Sequence, residues 1–155
     1  MRYAFALLFC LITFLSRGQN LELNQLKSFI DKPAVSVTDS LTKAGWTLRP
    51  ELSGAKDYQM YQTWSFGNHE SEQAKAQAWF RIQADNGIIN QLYYQSPGQE
   101  HFNLLLEEIK KTGTEKKDVQ SIEENQISTY YVAKDYTFQT IVGTDSYTVM
   151  VMATK

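Results

Sequence analysis

The sequence predicts an α+β fold, with one antiparallel sheet of six to seven strands and helices packed on one of its faces. Two sequence patterns predict it. Apolar residues recur at helical spacing within residues 20–45 and again within residues 96–113. Elsewhere, over residues 58–95 and 126–153, they alternate with polar residues, as in half-buried strands. Helices confined to one face of an antiparallel sheet bury both kinds of apolar surface.

The first eighteen residues have the pattern of a secretory signal peptide. Arg2 precedes an apolar run over residues 3–15, and the small residues Ser16 and Gly18 follow it. The run is shorter than the about 20 residues that a spanning helix needs, which makes a retained membrane anchor the weaker alternative. We therefore expect cleavage after residue 18 and one α+β domain over residues 19–155. The mature chain would be periplasmic in a double-membrane bacterium and extracellular otherwise, with no membrane anchor.

Charge and cysteine content narrow the function classes. The chain has 15 Lys plus Arg and 17 Asp plus Glu. Removal of Arg2 and Arg17 with the signal leaves 13 cations and a net charge of −4. A weakly acidic protein is a poor match for nucleic acid, which requires clustered cations, so we expect no nucleic-acid partner. The single cysteine, Cys10, lies in the signal, so the core alone must hold the mature domain.

Three helices are expected, and the third has the clearest pattern. The first is indicated by Leu23, Leu26, Phe29 and Ile30, with Asn20 as a cap. The second is indicated by Val37, Leu41 and Ala44 after Ser36, with Gly45 as its closing residue. In the third, Ser96, Pro97 and Gln99 favour a capped start and Gly113 an end. Its predicted buried stripe consists of Phe102, Leu105, Leu106 and Ile109.

The central hairpin, residues 75–95, places its apolar residues on one face and Trp79 on the other. A two-residue Asn86-Gly87 turn would mix polar and apolar residues on both faces. A three-residue turn, with Gly87 left-handed, separates them. We therefore predict that Phe80 pairs with Leu92, Trp79 with Tyr93 and Arg81 with Gln91. Residues 115–125, between the third helix and the last three strands, fit either an edge strand or a loop.

The last thirty residues predict a meander of three strands. Turns at residues 134–135 and 144–145 would place Tyr131 opposite Phe138, Phe138 opposite Val151, and Val142 opposite Tyr147. Each half of the chain is then a helix followed by a meander, which makes an internal duplication conceivable. This order resembles, in topology only, secreted inhibitor proteins of the kind that block β-lactamases.

No local pattern predicts catalysis, a metal site or a cofactor. His69 and His101 lack metal-ligand spacing, the mature chain has no cysteine, and no GxSxG or phosphate-binding glycine loop occurs. The pairs Glu107-Glu108 and Glu123-Glu124 are adjacent in sequence, so on a helix they point about 100° apart. We expect no enzyme, while noting that a hydrolase site assembled from distant carboxylate and histidine residues leaves no local pattern.

The outward aromatic residues are the surface that the sequence singles out. Trp79, Arg81, Gln91 and Tyr93 together have the composition of a protein interface, and stacked aromatics also suit sugars. The alternative is that the second helix or residues 49–57 fold over them. The favoured hypothesis is an exported interaction domain, such as an inhibitor, immunity-type or envelope accessory protein. The alternative is a carrier of a small apolar ligand or lipid, held beneath Phe102 and Leu106.

Overall fold

The computed structural model describes residues 20–67, 76–112, 115–121 and 126–154. These residues form three α-helices, one 3-10 turn and nine strands. The elements are α1 (Leu23–Phe29), α2 (Ala34–Lys43), β1 (Thr47–Leu48), a 3-10 turn (Pro50–Leu52), β2 (Gly54–Lys56), β3 (Gln59–Phe66), β4 (Ala78–Asp85), β5 (Ile88–Gln95), α3 (Gln99–Lys111), β6 (Glu115–Ser121), β7 (Gln126–Val132), β8 (Tyr136–Val142) and β9 (Tyr147–Ala153). The predicted signal peptide and His69 lie outside the described residues.

The strands form a single antiparallel sheet in the order β1-β3-β4-β5-β9-β8-β7-β6, and β2 also pairs with β3. Seven of the strands have seven or eight residues, and β1 and β2 are short. The predicted α+β class and the antiparallel sheet are confirmed. The last strands of the two meanders, β5 and β9, lie side by side and join the halves, with Tyr93 opposite Met150.

The helices cover one face of the sheet, which we call the inner face. Phe29 of α1, Leu41 of α2 and Phe102 of α3 are buried in the same cluster as Phe80 of β4 and Val149 of β9. Aromatic rings make the centre of this core: Phe80 lies 5.8 Å from Phe29, 6.1 Å from Trp46 and 5.9 Å from Trp64 between ring centroids. None of the described helices is long and apolar enough to cross a membrane.

All three predicted helix starts are displaced. Helix α1 begins at Leu23 with Glu22 as N-cap and no side-chain cap, so the predicted cap at Asn20 is wrong. Helix α2 begins two residues before Ser36, because Pro33 occupies the N-cap position. Helix α3 begins at Gln99 with Gly98 as N-cap and no side-chain cap, so the predicted capping box is wrong. Ser96 instead makes a local turn, in which its hydroxyl donates to the Gly98 carbonyl over 2.8 Å. The predicted stripe is buried at Phe102, Leu105 and Ile109, and Leu106 is half-buried.

The C-terminal meander has the predicted register. Tyr131 pairs with Phe138, Phe138 with Val151, and Val142 with Tyr147. Within the ambiguous segment before it, Glu115–Ser121 form strand β6, which pairs with β7 at the edge of the sheet, and residues 122–125 lie outside the described residues.

The central hairpin has a different register from the predicted one. Asp85 pairs with Ile88 across a two-residue turn, in which Asn86 and Gly87 have φ values of 51° and 78°. A bulge then places Asn90 as an extra residue in β5, so that Gln83 pairs with Gln91. Phe80 consequently pairs with Tyr94, not with Leu92. From Gln91 onward the register shift is two residues, which leaves those side chains on their predicted faces. Between the bulge and the turn the shift is one residue, so Ile89 is buried on the inner face opposite Ala84, where the predicted register would have placed it on the outer face.

Candidate functional site

The four predicted surface residues share the face of the sheet that lies opposite the helices, which we call the outer face. In β4 the residues Ala78, Phe80, Ile82 and Ala84 are buried, and the residues between them are not. Arg81 pairs with Tyr93, whereas Trp79 pairs with Gln95 and Gln91 with Gln83. The predicted cross-strand pairs Trp79 with Tyr93 and Arg81 with Gln91 are therefore wrong, because the two-residue turn and the Asn90 bulge each displace the register by one residue.

The outer face leaves these side chains accessible. Arg81 is exposed, and Trp79, Gln91 and Tyr93 are partly exposed. Helix α2 packs its buried residues into the inner core, so it does not cover them. The segment after α2 does approach this face, and it forms a wall beside the aromatic residues without burying them.

The wall is the 3-10 turn, which is hydrogen-bonded to the middle of β3. The Arg49 amide donates to the Thr63 carbonyl over 2.8 Å, and the Thr63 hydroxyl donates to the Leu52 carbonyl over 2.8 Å. The Thr63 amide donates to Ser53 Oγ over 3.0 Å. Thr63 is buried as a result, and Leu52 is 39% exposed at the edge of a groove.

This outer groove has a volume of about 460 Å³ and is open to solvent. The strands β4 and β5 supply most of its floor, β9 supplies Thr148, and the 3-10 turn supplies Leu52. The groove is lined, among others, by the side chains of Leu52, Thr63, Trp79, Arg81, Tyr93 and Gln95.

Arg81 is held in place by two neighbours in β3. Its Nε donates to Thr63 Oγ1 over 2.9 Å, and its guanidinium carbon lies 5.6 Å from the centroid of the Tyr61 ring. The second cation near the groove, Arg49, lies 5.9 Å from the Trp79 ring centroid, and its Nε also forms an ion pair with Glu51 over 2.6 Å. A backbone hydrogen bond and Arg49 lower the pKa of the Glu51 carboxyl.

Tyr93 lies in the centre of the face. Partial burial raises the pKa of its phenol above the ordinary value of 10.0, and the nearby Arg81 opposes this shift. Gln91 Nε2 donates to the Tyr93 hydroxyl and to the Met150 sulfur. The phenol therefore stays neutral at physiological pH and forms part of a polar edge along an aromatic surface.

Sequence reasoning missed the residues that fix Arg81 and wall the groove. Tyr61 and Thr63 belong to the polar side of β3, so the alternation of that strand did indicate their face. Leu52 and Arg49 belong to a loop whose docking on β3 depends on long-range hydrogen bonds. No local pattern in the sequence indicates such long-range hydrogen bonds.

His101 of α3 contributes to packing at the start of the domain. His101 Nε2 lies 3.2 Å from the Leu21 carbonyl, and its ring packs edge-on against Tyr94 at 5.9 Å between centroids. Tyr94 in turn accepts a hydrogen bond from the Leu21 amide over 3.3 Å. No three His, Cys, Asp or Glu residues among residues 20–67, 76–112 and 126–154 are grouped so as to hold a metal ion.

Comparison with known proteins gives no assignment. No protein-family model, no curated protein and no solved structure matches this chain.

Proposed function

We propose that the chain is a small exported interaction domain that binds a protein partner through its outer face. The observation that carries the proposal is the outer groove, where Trp79 and Tyr93 stay accessible beside an immobilised Arg81. Rigid aromatic residues and arginine are the side chains that contribute most to protein interfaces, since they bury a large area at a small cost in conformational entropy.

Export is proposed from the sequence, and the fold is compatible with it. The described chain enters the core at Leu21, which is 2% exposed and hydrogen-bonded through its amide to Tyr94. Cleavage after residue 18 would leave Leu21 and its contacts in the mature protein. Amino-terminal sequencing of the secreted or periplasmic fraction tests this, and a first residue beyond Leu21 would contradict it.

Site-specific photo-crosslinking tests the binding surface. A photoreactive phenylalanine analogue at Trp79 or Tyr93 is expected to trap one defined protein in the cells that export the chain. Leu104 on α3 is the matched control, because it is 58% exposed and apolar but lies in the helical layer. A product at positions 79 and 93 but not at 104 supports the proposal. Equal products at all three positions, or none at 79 and 93, would contradict it.

Substitution complements the crosslinking. Trp79→Ser with Tyr93→Ser is expected to remove the trapped partner when the crosslinker is moved to Gln95, which lines the same groove. The same variant must keep its thermal unfolding transition within a few degrees. A loss of many degrees would show that the two rings belong to the core, and the interface proposal would fail.

A carrier of a small apolar ligand remains the alternative prediction. At the position where such a ligand was expected, the rings of Phe102 and Tyr147 are in direct contact, with centroids 5.5 Å apart. This contact joins α3 to β9, and it does not favour the carrier over the interaction domain.

A further inference from the structure

We propose that the outer groove binds a segment of the partner protein that presents a carboxylate side chain to Arg81 next to an apolar side chain. The inference rests on the proposed function and names the chemistry of the partner. Three observations lead to it: spare donors on Arg81, the absence of acids from the surrounding surface, and the length of the polar and aromatic surface across the sheet.

Arg81 has donors to spare. Its Nε donates to Thr63, and its guanidinium carbon lies 5.6 Å from the Tyr61 ring centroid. Its two terminal nitrogens have no hydrogen-bond or ion-pair partner among the described residues. A guanidinium offers five donors in a fixed planar fork, and this fork matches the two oxygens of a carboxylate. Because the arginine is already held from two sides, little conformational freedom remains to be lost on binding.

The surface around Arg81 contains no acid over three adjacent cross-strand rows. These rows run across β3, β4, β5, β9, β8 and β7, as the strand registers define them. They consist of Ser65, Trp79, Gln95, Thr148, Ile141 and Ser128; Thr63, Arg81, Tyr93, Met150, Gln139 and Tyr130; and Tyr61, Gln83, Gln91, Met152, Thr137 and Val132.

The two acids within the elements that build the groove have polar partners of their own. Glu51 in the 3-10 turn forms an ion pair with Arg49, and Asp85 at the hairpin turn accepts a hydrogen bond from Asn90 Nδ2 over 2.7 Å. A carboxylate at Arg81 therefore meets one opposite charge and no like charge on the three rows. A cationic ligand would meet one like charge, Arg81, and no opposite charge on these rows. In a chain with more acids than bases, this surface selects for negative charge.

The groove also specifies what accompanies the carboxylate. Trp79, Tyr93 and Leu52 present apolar surface beside Arg81. The amide side chains Gln95 and Gln83, which also line the groove, can donate to or accept from a peptide main chain. An acidic side chain adjacent to an apolar one therefore satisfies both parts of the groove.

The extent of the surface favours a protein segment over a small anion. The row through Arg81 continues over Tyr93, Met150 and Gln139 to Tyr130. Six strands at about 4.8 Å spacing give a row of about 24 Å, which an extended segment of about seven residues spans. Tyr130 places a second phenol at the far end of this row, three strands from Tyr93.

The test uses three synthetic peptides that differ at one side chain. Acetyl-Ser-Glu-Phe-Ser-amide and its Gln and Lys counterparts are titrated into the isotopically labelled mature domain. Resonances of the Trp79 indole N–H and the Arg81 Nε–H report binding. The Glu peptide is expected to bind at millimolar concentration and at least about tenfold more tightly than the Gln peptide, because a charge-assisted bidentate contact is lost.

Two substitutions of Arg81 test whether this residue causes the preference for the Glu peptide. Arg81→Gln is expected to abolish the preference for Glu over Gln, and Arg81→Lys to restore part of it, since lysine keeps the charge but loses the fork. Lys110→Gln on α3 is the matched control. It removes an exposed cation from the helical layer, away from the groove, and is expected to change the affinity for the Glu peptide less than about twofold.

The outcomes are decisive. The inference is overturned if the Glu and Gln peptides bind equally, if no peptide shifts these two resonances, or if inorganic phosphate alone shifts them as much as the Glu peptide does. If crosslinking at Trp79 succeeds and the peptides show no preference, the proposed function stands and this inference fails. If crosslinking fails and the Glu preference is present, the carboxylate site stands and the protein-binding function fails.

Discussion

Two neighbouring aromatic residues of β4 show how differently the two faces of the sheet are used. Phe80 on the inner face is 0% exposed and contacts the rings of Phe29, Trp46 and Trp64. Trp79 on the outer face is partly exposed, and the guanidinium carbon of Arg49 lies 5.9 Å from the centroid of its ring. One residue of strand thus separates a side chain that stabilises the fold from one that is available to a partner.

The largest expected effect is a difference between substitutions at these two positions. Phe80→Ala should lower the free energy of unfolding by about 3–5 kcal/mol, because it removes a fully packed ring and leaves a cavity. Trp79→Ala should cost less than half of that, since part of the indole is already in water. Urea denaturation of both variants measures the difference. Equal losses would mean that both faces are core.

The next effect concerns the start of the domain. Tyr94→Phe removes the acceptor for the Leu21 amide, so the free energy of unfolding should fall by about 1–2 kcal/mol. Tyr93→Phe on the outer face is the matched control and should change it by no more than about 0.5 kcal/mol. Hydrogen exchange at the Leu21 amide reports the contact directly. Unchanged protection of that amide in the Tyr94 variant would contradict the assignment.

A third prediction distinguishes the observed hairpin turn from the predicted one. Gly87→Ala should cost about 1 kcal/mol, because an L side chain at φ 78° is strained even where space is open. Asn86→Gly should change the stability by less than about 0.5 kcal/mol, since Asn86 also has a positive φ. The three-residue turn requires a negative φ at Asn86, so a coupling constant that reports negative φ there would restore the predicted turn.

The smallest effect is an alkaline loss of stability. Burial raises the pKa values of both Tyr94 and Tyr93 in the folded state above the ordinary value of 10.0, more strongly for Tyr94. A raised folded-state pKa contributes stability that is complete below pH 10 and is lost as pH rises above it. Tyr94→Phe should therefore flatten the fall in unfolding free energy above pH 10 more than Tyr93→Phe does. The reverse order would show that Tyr93 is the more buried phenol.

The two meanders show what the sequence could and could not predict. In the C-terminal meander the register followed from short turns and clean alternation, and Tyr131, Phe138 and Val151 pair as expected. In the central hairpin the predicted faces were right from Gln91 onward, the predicted partners were wrong, and Ile89 beside the turn has the opposite face. The chain keeps the Asn86-Gly87 turn and restores the separation of polar and apolar residues later, with a bulge at Asn90.

The bulge has a tertiary cause that a local pattern does not contain. Between the hairpin turn and the bulge, β5 pairs with the segment that joins α1 to α2, and only after the bulge does it pair with β9. The Asp31 amide donates to the Ile89 carbonyl over 2.8 Å, and the Ile89 amide donates to the Lys32 carbonyl over 3.0 Å. The groove wall has a similar origin, since Leu52 meets β3 through hydrogen bonds to Thr63. The alternation of polar and apolar residues along the strands predicted the face of each candidate residue. The neighbours of each candidate residue depend on contacts between distant segments, which the alternation does not contain.

Quenching of tryptophan fluorescence by iodide tests the central claim most directly. The chain has three tryptophans, of which Trp46 and Trp64 are buried at 2% and 0% exposure and Trp79 is partly exposed. We predict that iodide quenches one part of the emission and that Trp79→Phe removes that part while leaving the fold intact. If the Trp79→Phe variant is quenched as strongly as the parent, or if iodide quenches neither, the outer face is closed and the account is contradicted.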